Sequence, residues 1–319
     1  MPQLYTRPSA QALLNTLQLL QRSTNTFSAD PSATDDDVQA VRVDPAGVPR
    51  YLTTIVASSL NWLHEHEREQ IWEAASVRLS ERSGRNAAPS MTRTFRIDHE
   101  LSLRLYEPSL TEDSLGLKTW TSSLLLSRRL KDLTHHVPDG ETRVLELGSG
   151  TGLVGLAAAF VWRDLITAVL LTDLPDIVPN LQANINQNPM TNSEKSTQMP
   201  RVHSRVLDWS DPSDMPHSDT DRYPLIVAAD PIYSTDHPRM LADTVRRWLK
   251  PLPSSRFIVE LPLRQGYSKE RCDLKDRLEE FLTIVEEGEE IGFDDWETAD
   301  GRPAEVECWW SVWQPKPCN

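Results

Sequence analysis

The sequence predicts an α/β fold: a seven-stranded, mostly parallel sheet with helices on both faces, preceded by a mainly helical extension. Three features lead there. After about residue 117, short apolar runs alternate with helical patterns, and a β-α-β-α rhythm of this kind buries a parallel sheet between two helical layers. At one strand-to-helix junction, "LELGSGTGLVG" over 145–155, glycines stand at alternate positions, as they do where a ligand approaches the backbone at the carboxyl end of a strand. The chain closes on "VECWWSVWQ", whose aromatic and β-branched residues suit a strand returning beside the previous one.

The elements follow in order. Leu13, Leu14, Leu17, Leu19 and Leu20 recur at helical spacing between Ala10 and Gln21. "STNTFSADPSATDDD" is polar, acidic and turn-rich, and reads as an exposed linker. The next stretch, opening "VPRYLTTIVASSLNWL", reads as one or two amphipathic helices, with apolar positions at Ile55, Leu60, Trp62, Leu63, Ile71, Trp72, Ala75 and Leu79 and a stop at Gly84. "TRTFRI" and "LSLRLYEP" alternate apolar and polar residues, the pattern of a β-hairpin. We therefore divide the chain into an extension over 1–115 and a main domain over 116–319. The main domain opens with "TRVLELG", "AVLLTDL", "HSRVLDW", "PLIVAAD" and "SRFIVELPL" as strands with intervening helices. The segment "GFDDWETADGRPAE" reads as an acidic loop before the final strand.

Bulk properties narrow the function. At 39% hydrophobic and 25% charged residues, the composition is that of a soluble globular protein. A formal net charge of -14 argues against binding long nucleic acid, which needs clustered Lys and Arg. Cys272, Cys308 and Cys318 form no C-x-x-C pair, so neither a disulfide framework nor a zinc site follows from them. With no basic start followed by an apolar core and no apolar run near a membrane span, the expected location is cytoplasmic and the default state a monomer. Other polar clusters read as surface: "LHEHERE" places His64 and His66 two apart, off a common helix face. His135 and His136 read as a loop before the first core strand, and Arg128, Arg129, Arg246 and Arg247 as helix-surface pairs. "FDDWE" fits either an acidic substrate lip or a turn.

The glycine junction is the first functional clue. Its spacing, Gly148-x-Gly150-x-Gly152, puts Leu153 where a dinucleotide fingerprint needs glycine, and it lacks the Gly-Lys pair of a phosphate loop. Glu146 stands two residues ahead, where a pyrophosphate gains nothing from negative charge but a sulfonium or ammonium tolerates it. The second strand ends at Asp173, placed to accept ribose hydroxyls. The third ends at Asp208 and Trp209, an acceptor for an adenine amino group and a flat surface for its ring. Three successive strands ending in acids suit a ligand with a ribose, an adenine and a positive centre.

In that order, "ELGSGTG", "TDLP" and "LDW" resemble the seven-stranded, Rossmann-like S-adenosylmethionine-dependent methyltransferases, over about Leu117 to Asn319. The fourth strand, with Ala229 at its end, runs into Asp230-Pro231-Ile232-Tyr233. Amino-methylating nucleic-acid enzymes carry a similar Asp-Pro-Pro-aromatic tetrad, but the third residue here is isoleucine and no basic stretch accompanies it. Together with "LKTWTSSLLLSRRL", the pattern more closely resembles the protein-lysine methyltransferases with an Asp-x-x-Tyr motif, though proline replaces the commoner valine at its second position. That resemblance implies S-adenosylmethionine as cofactor, Trp120 against the donor, and Asp230 and Tyr233 at the acceptor lysine. "VPRYLTTIVASSLNWL", "IWEAASVRLSERSGR", "FDDW" and "ECWWSVWQ" extend the likeness to fungal enzymes that methylate a lysine of translation elongation factor two, which implies that protein as the partner. Alternatives are a small-molecule or nucleic-acid N-methyltransferase and a non-catalytic donor-binding adaptor.

Overall fold

A computed structural model describes residues 1–21, 26–27, 47–82, 89–109, 115–189, 199–297 and 303–317. The amino-terminal helices are α1 (Ala10–Leu19), α2 (Val48–Ala57) and α3 (Glu65–Ser80). The single apolar stretch foreseen after residue 48 thus forms two helices, broken around Leu60, whose φ of 47° no helix continues. Leu13, Leu17, Leu52, Ile55, Leu60 and Ile71 form a core of their own. Two indoles lock the bend, with Trp62 donating to Pro8 O at 2.9 Å and Trp72 to Ser58 O at 2.9 Å. The stop at Gly84 and most of the linker lie outside the described residues. Within the linker, Thr26–Phe27 (β1) is not free chain: it pairs in parallel with β2 (Met91–Arg96).

β2 and β3 (Ser102–Glu107) form the expected antiparallel hairpin, turned by Asp98, whose Oδ1 accepts from Glu100 N and Leu101 N. Phe95, Leu103 and Leu105 bury their side chains in the core of the main sheet. That sheet comprises β4 (Thr142–Leu147), β5 (Ile166–Asp173), β6 (Arg201–Val206), β7 (Leu225–Ala229), β8 (Arg256–Pro262), β9 (Leu282–Glu297) and β10 (Pro303–Pro315), in the order β6-β5-β4-β7-β8-β10-β9. β10 runs antiparallel to both neighbours and the rest are parallel. Helices α4 (Thr121–Arg129), α5 (Leu153–Val161), α6 (Val178–Gln187), α7 (His237–Trp248) and α8 (Ser268–Glu279) cover it. Alternate residues of β4 feed the two faces: Val144 joins Leu156 and Trp162 on one, while Leu145 and Leu147 join Leu241, Trp248 and Trp313 on the other. Chain order reverses between β4 and β7, which opens a crevice at their carboxyl ends.

One expectation is overturned. The acidic loop foreseen from Gly292 is strand as far as Glu297, and β9 pairs with β10 nearly throughout. Its charges hid it: Val285, Glu287, Glu289 and Ile291 are exposed and alternate with covered neighbours, the pattern of a strand with one wet face. β9 is also an edge, where carboxylates discourage pairing with other chains. Among the described residues no helix is long and apolar enough to cross a membrane.

Candidate active site

The site begins with the turn between β4 and α5. Gly152 takes a φ of 91°, and a Cβ there would lie 2.7 Å from Leu181 Cδ1. A side chain at that position is excluded twice, by conformation and by space. The end of β5 ties the turn down. Gly150 N donates to Asp173 Oδ2 at 2.7 Å, Thr172 N donates to Ser149 Oγ at 2.9 Å, and Ser149 N donates to Thr172 O at 2.9 Å. Below the turn, Glu146 accepts from Gly155 N at 3.0 Å and is 2% exposed. Burial pushes its carboxyl up to about 8.

Above the turn lies a cavity of about 440 Å³. Nine residues singled out from sequence line it: Trp120, Gly148, Gly150, Asp173, Asp208, Trp209, Ala229, Asp230 and Tyr233. Glu146 and Gly152 do not; they shape the turn from beneath. Trp209 lies over Gly148 so closely that a Cβ there would come within 3.2 Å of the indole. Asp208 accepts from Ser210 N and Oγ through Oδ1, while its Oδ2 makes no hydrogen bond among the described residues. Asp173 uses Oδ2 for Gly150 and Oδ1 for Leu174 N, and burial raises its pKa. Each of those oxygens still has a second lone pair for a hydroxyl.

In the same cavity, Asp230 holds a left-handed backbone, φ 51°, at the end of β7, and its N–H donates to Glu260 O at 2.9 Å. Such a conformation is uncommon for a residue with a Cβ, and aspartate is among those that tolerate it best. Its side chain is 4% exposed and meets Arg264, with Nη2 2.8 Å from Oδ2 and Nη1 3.5 Å from Oδ1. The guanidinium also lies over the Trp120 ring, 5.2 Å from its centroid. Tyr233, half-exposed, meets His237 edge-on with centroids 4.3 Å apart, and Tyr267 OH donates to its carbonyl at 3.2 Å. Burial first, then the charges of Asp173 and Asp230, raise the Tyr233 pKa, so the phenol stays protonated near neutral pH. His237 donates from Nδ1 to Pro231 O at 3.1 Å, and burial lowers its pKa.

Sequence reasoning missed Arg264, Tyr267 and His237 as lining residues. A positional signal was available for the first two, because "LPLRQGY" follows β8, whose carboxyl end opens on the same rim as the acidic strand ends. His237 carried no such signal beyond its place four residues after Tyr233.

The residues fit S-adenosylmethionine. Two acids for hydroxyl and amino donors, a flat indole against a side-chain-free turn, and no phosphate-binding lysine loop match an adenosine rather than a nucleotide polyphosphate. Residues 98–284 match the family model described as lysine methyltransferase. A protein-lysine N-methyltransferase of Saccharomyces cerevisiae, EFM2, is 36% identical over 267 residues, spanning 77% of this chain and 61% of that protein. Its counterpart rrg1 of Schizosaccharomyces pombe is 36% identical over 274 residues, 83% of this chain and 84% of that one. The protein-lysine methyltransferase METTL21E of Mus musculus is 34% identical over 137 residues, covering 42% of this chain and 51% of its own. The chain belongs to the S-adenosylmethionine-dependent lysine methyltransferases.

Proposed function

We propose that the protein methylates a lysine ε-amine of translation elongation factor two. The observation that carries the reading is that Asp230 and Tyr233 line the same cavity as Asp173, Asp208 and Trp209. Asp173 would hold ribose hydroxyls, Asp208 the adenine amino group, and Trp209 the ring. Bound there, S-adenosylmethionine supplies an electrophilic methyl group on a positively charged sulfur. The remaining work falls to the acceptor side. Lysine's reference pKa is about 10.4, and only its neutral amine carries the lone pair needed for attack. Asp230 meets the incoming ammonium as a hydrogen-bond acceptor, a place now taken by the Arg264 guanidinium. Tyr233, protonated, aligns the amine rather than deprotonating it, and the proton leaves to water.

The elongation-factor reading draws support from the extent of the yeast likenesses, which cover more of the chain than residues 116–319 contain, whereas the mouse likeness is shorter. We place recognition of the protein substrate in the extension over 1–115. The test is transfer of tritiated methyl from S-adenosylmethionine into an extract of fungal cells lacking this protein. One labelled band at the size of elongation factor two, carrying methyl-lysine and absent with Asp230→Ala or Tyr233→Ala, is expected. Label in RNA or metabolites would overturn the substrate. Unchanged turnover in both variants would overturn the acceptor assignment.

A further inference from the structure

The histidine pair before β4 is not the plain loop its sequence suggests. It lies in a 3-10 helix over Asp132–His136, where two imidazoles converge on one carboxylate of β9. His135 Nε2 is 3.2 Å and His136 Nε2 2.6 Å from Glu286 Oε2. The two rings lie with their centroids 4.1 Å apart, and all three donor atoms fall within 4.8 Å of one another. We propose that His135, His136 and Glu286 form a zinc-binding site that clamps this turn to the edge strand.

The hydrogen bonding around His135 has the form found in metal sites. A neutral imidazole has one N–H, and His135 uses it at Nδ1, 2.9 Å from Asp132 O. In the neutral ring this leaves the Nε2 lone pair on the side of Glu286, where an ion would be held. Metal-binding histidines are held in this way, one ring nitrogen donating to a backbone carbonyl while the other faces the ion. Two imidazoles and a carboxylate suit zinc, which leaves its fourth position to water. Around a tetrahedral zinc with bonds of about 2.0–2.2 Å, neighbouring donor atoms stand about 3.3 Å apart. The His135–Glu286 edge already has that length. The His136 edge reaches it by a small swing of Glu286, a side chain 39% exposed with room to move.

The location sets this site apart from the donor cavity. The turn precedes the first residue of β4, and Glu286 stands near the beginning of β9, which runs in the same direction as β8. Both lie at the amino ends of their strands, on the opposite side of the sheet from the carboxyl ends of β4, β5 and β7, which open on the cavity. An ion held here braces the sheet edge without touching the methyl-transfer machinery.

Titration calorimetry with zinc chloride on the chelator-treated protein tests the site. One saturable site of micromolar affinity is expected, weakened at least about tenfold by His135→Ala and by Glu286→Gln. His135 is 62% exposed, so its loss leaves the fold standing. Zinc should also raise the melting temperature of the unaltered protein and not that of His135→Ala. Absence of saturable binding, or equal affinity in both variants, overturns the proposal. Neither result depends on methyl transfer.

Discussion

Glu146 illustrates how a residue can sit in a functional motif and act through its surroundings. Read as sequence, it is a negative charge two residues before the glycine turn. In the fold it is a buried acid that accepts a hydrogen bond from Gly155 N beneath the turn, and burial raises its pKa to about 8. Its folded pKa thus lies above the reference value of about 4.3 for the unfolded chain. The folded protein therefore binds this proton more tightly, and its contribution to stability is fully present below about pH 4 and is lost as pH rises through about 8. Glu146→Gln removes that titration while keeping a carbonyl acceptor. Compared by thermal unfolding, the variant should gain on the unaltered protein between pH 5 and pH 9, by at most on the order of 5 kcal/mol. A difference that stays constant with pH would show that Glu146 ionises freely in the fold.

Between elements, two asparagines one helical turn apart, Asn184 in α6 and Asn188 capping its end, hold the hairpin, and Asn184 joins it to the glycine turn. Asn188 accepts from Arg104 N at 2.9 Å and donates to Arg104 O at 2.7 Å, so its amide pairs with β3 much as a neighbouring strand would. Asn184 does the same for Tyr106, accepting at 2.7 Å and donating at 3.1 Å, and also donates to Thr151 O in the glycine turn at 3.0 Å. Asn184→Ala would strand Tyr106 N and Thr151 O and leave Tyr106 O to Asn180 alone, at a cost of about 2–4 kcal/mol. Lower melting temperature together with weaker S-adenosylmethionine binding is expected; lost stability with unchanged binding would disconnect the hairpin from the turn. Such a bridge leaves almost no trace in the sequence, where "NLQANINQN" reads simply as a polar helix. The parallel strands were legible because their cores are continuous apolar runs, as in "LIVAA". The edge strand β9 was not, because its glutamates look like loop. Arg129 was misread for a related reason: expected on the surface, it pairs with Glu290 and lies over Trp310 at 4.4 Å, contacts that depend on β9 being a strand. Strand-end residues of the site could be read from spacing, whereas Arg264 and Tyr267 reach the cavity from the turn after β8, for which no motif was known.

At the scale of the whole molecule, the apolar core of the amino-terminal helices is separate from the two that flank the main sheet. Among the described residues, the buried side chains of α1, α2 and α3 cluster with one another and with the loops that join them, while the hairpin shares the core of the main sheet. On the proposed assignment of Asp230 and Tyr233 to the acceptor, the cavity alone offers too few groups to select one lysine among many. Selection therefore needs surface from elsewhere, and the helical unit is the part of the chain that the main core does not require. Removing residues 1–88 should leave the hairpin, the main sheet and S-adenosylmethionine affinity in place, measured by calorimetry. Methylation of elongation factor two should fall at least about tenfold, because the loss of an ordinary recognition surface costs more than 1.4 kcal/mol. The fall should appear chiefly as a raised KM, since the groups around the reacting amine are untouched. Full activity with unchanged KM would place recognition in the main domain, where the acidic face of β9 becomes the next surface to mutate.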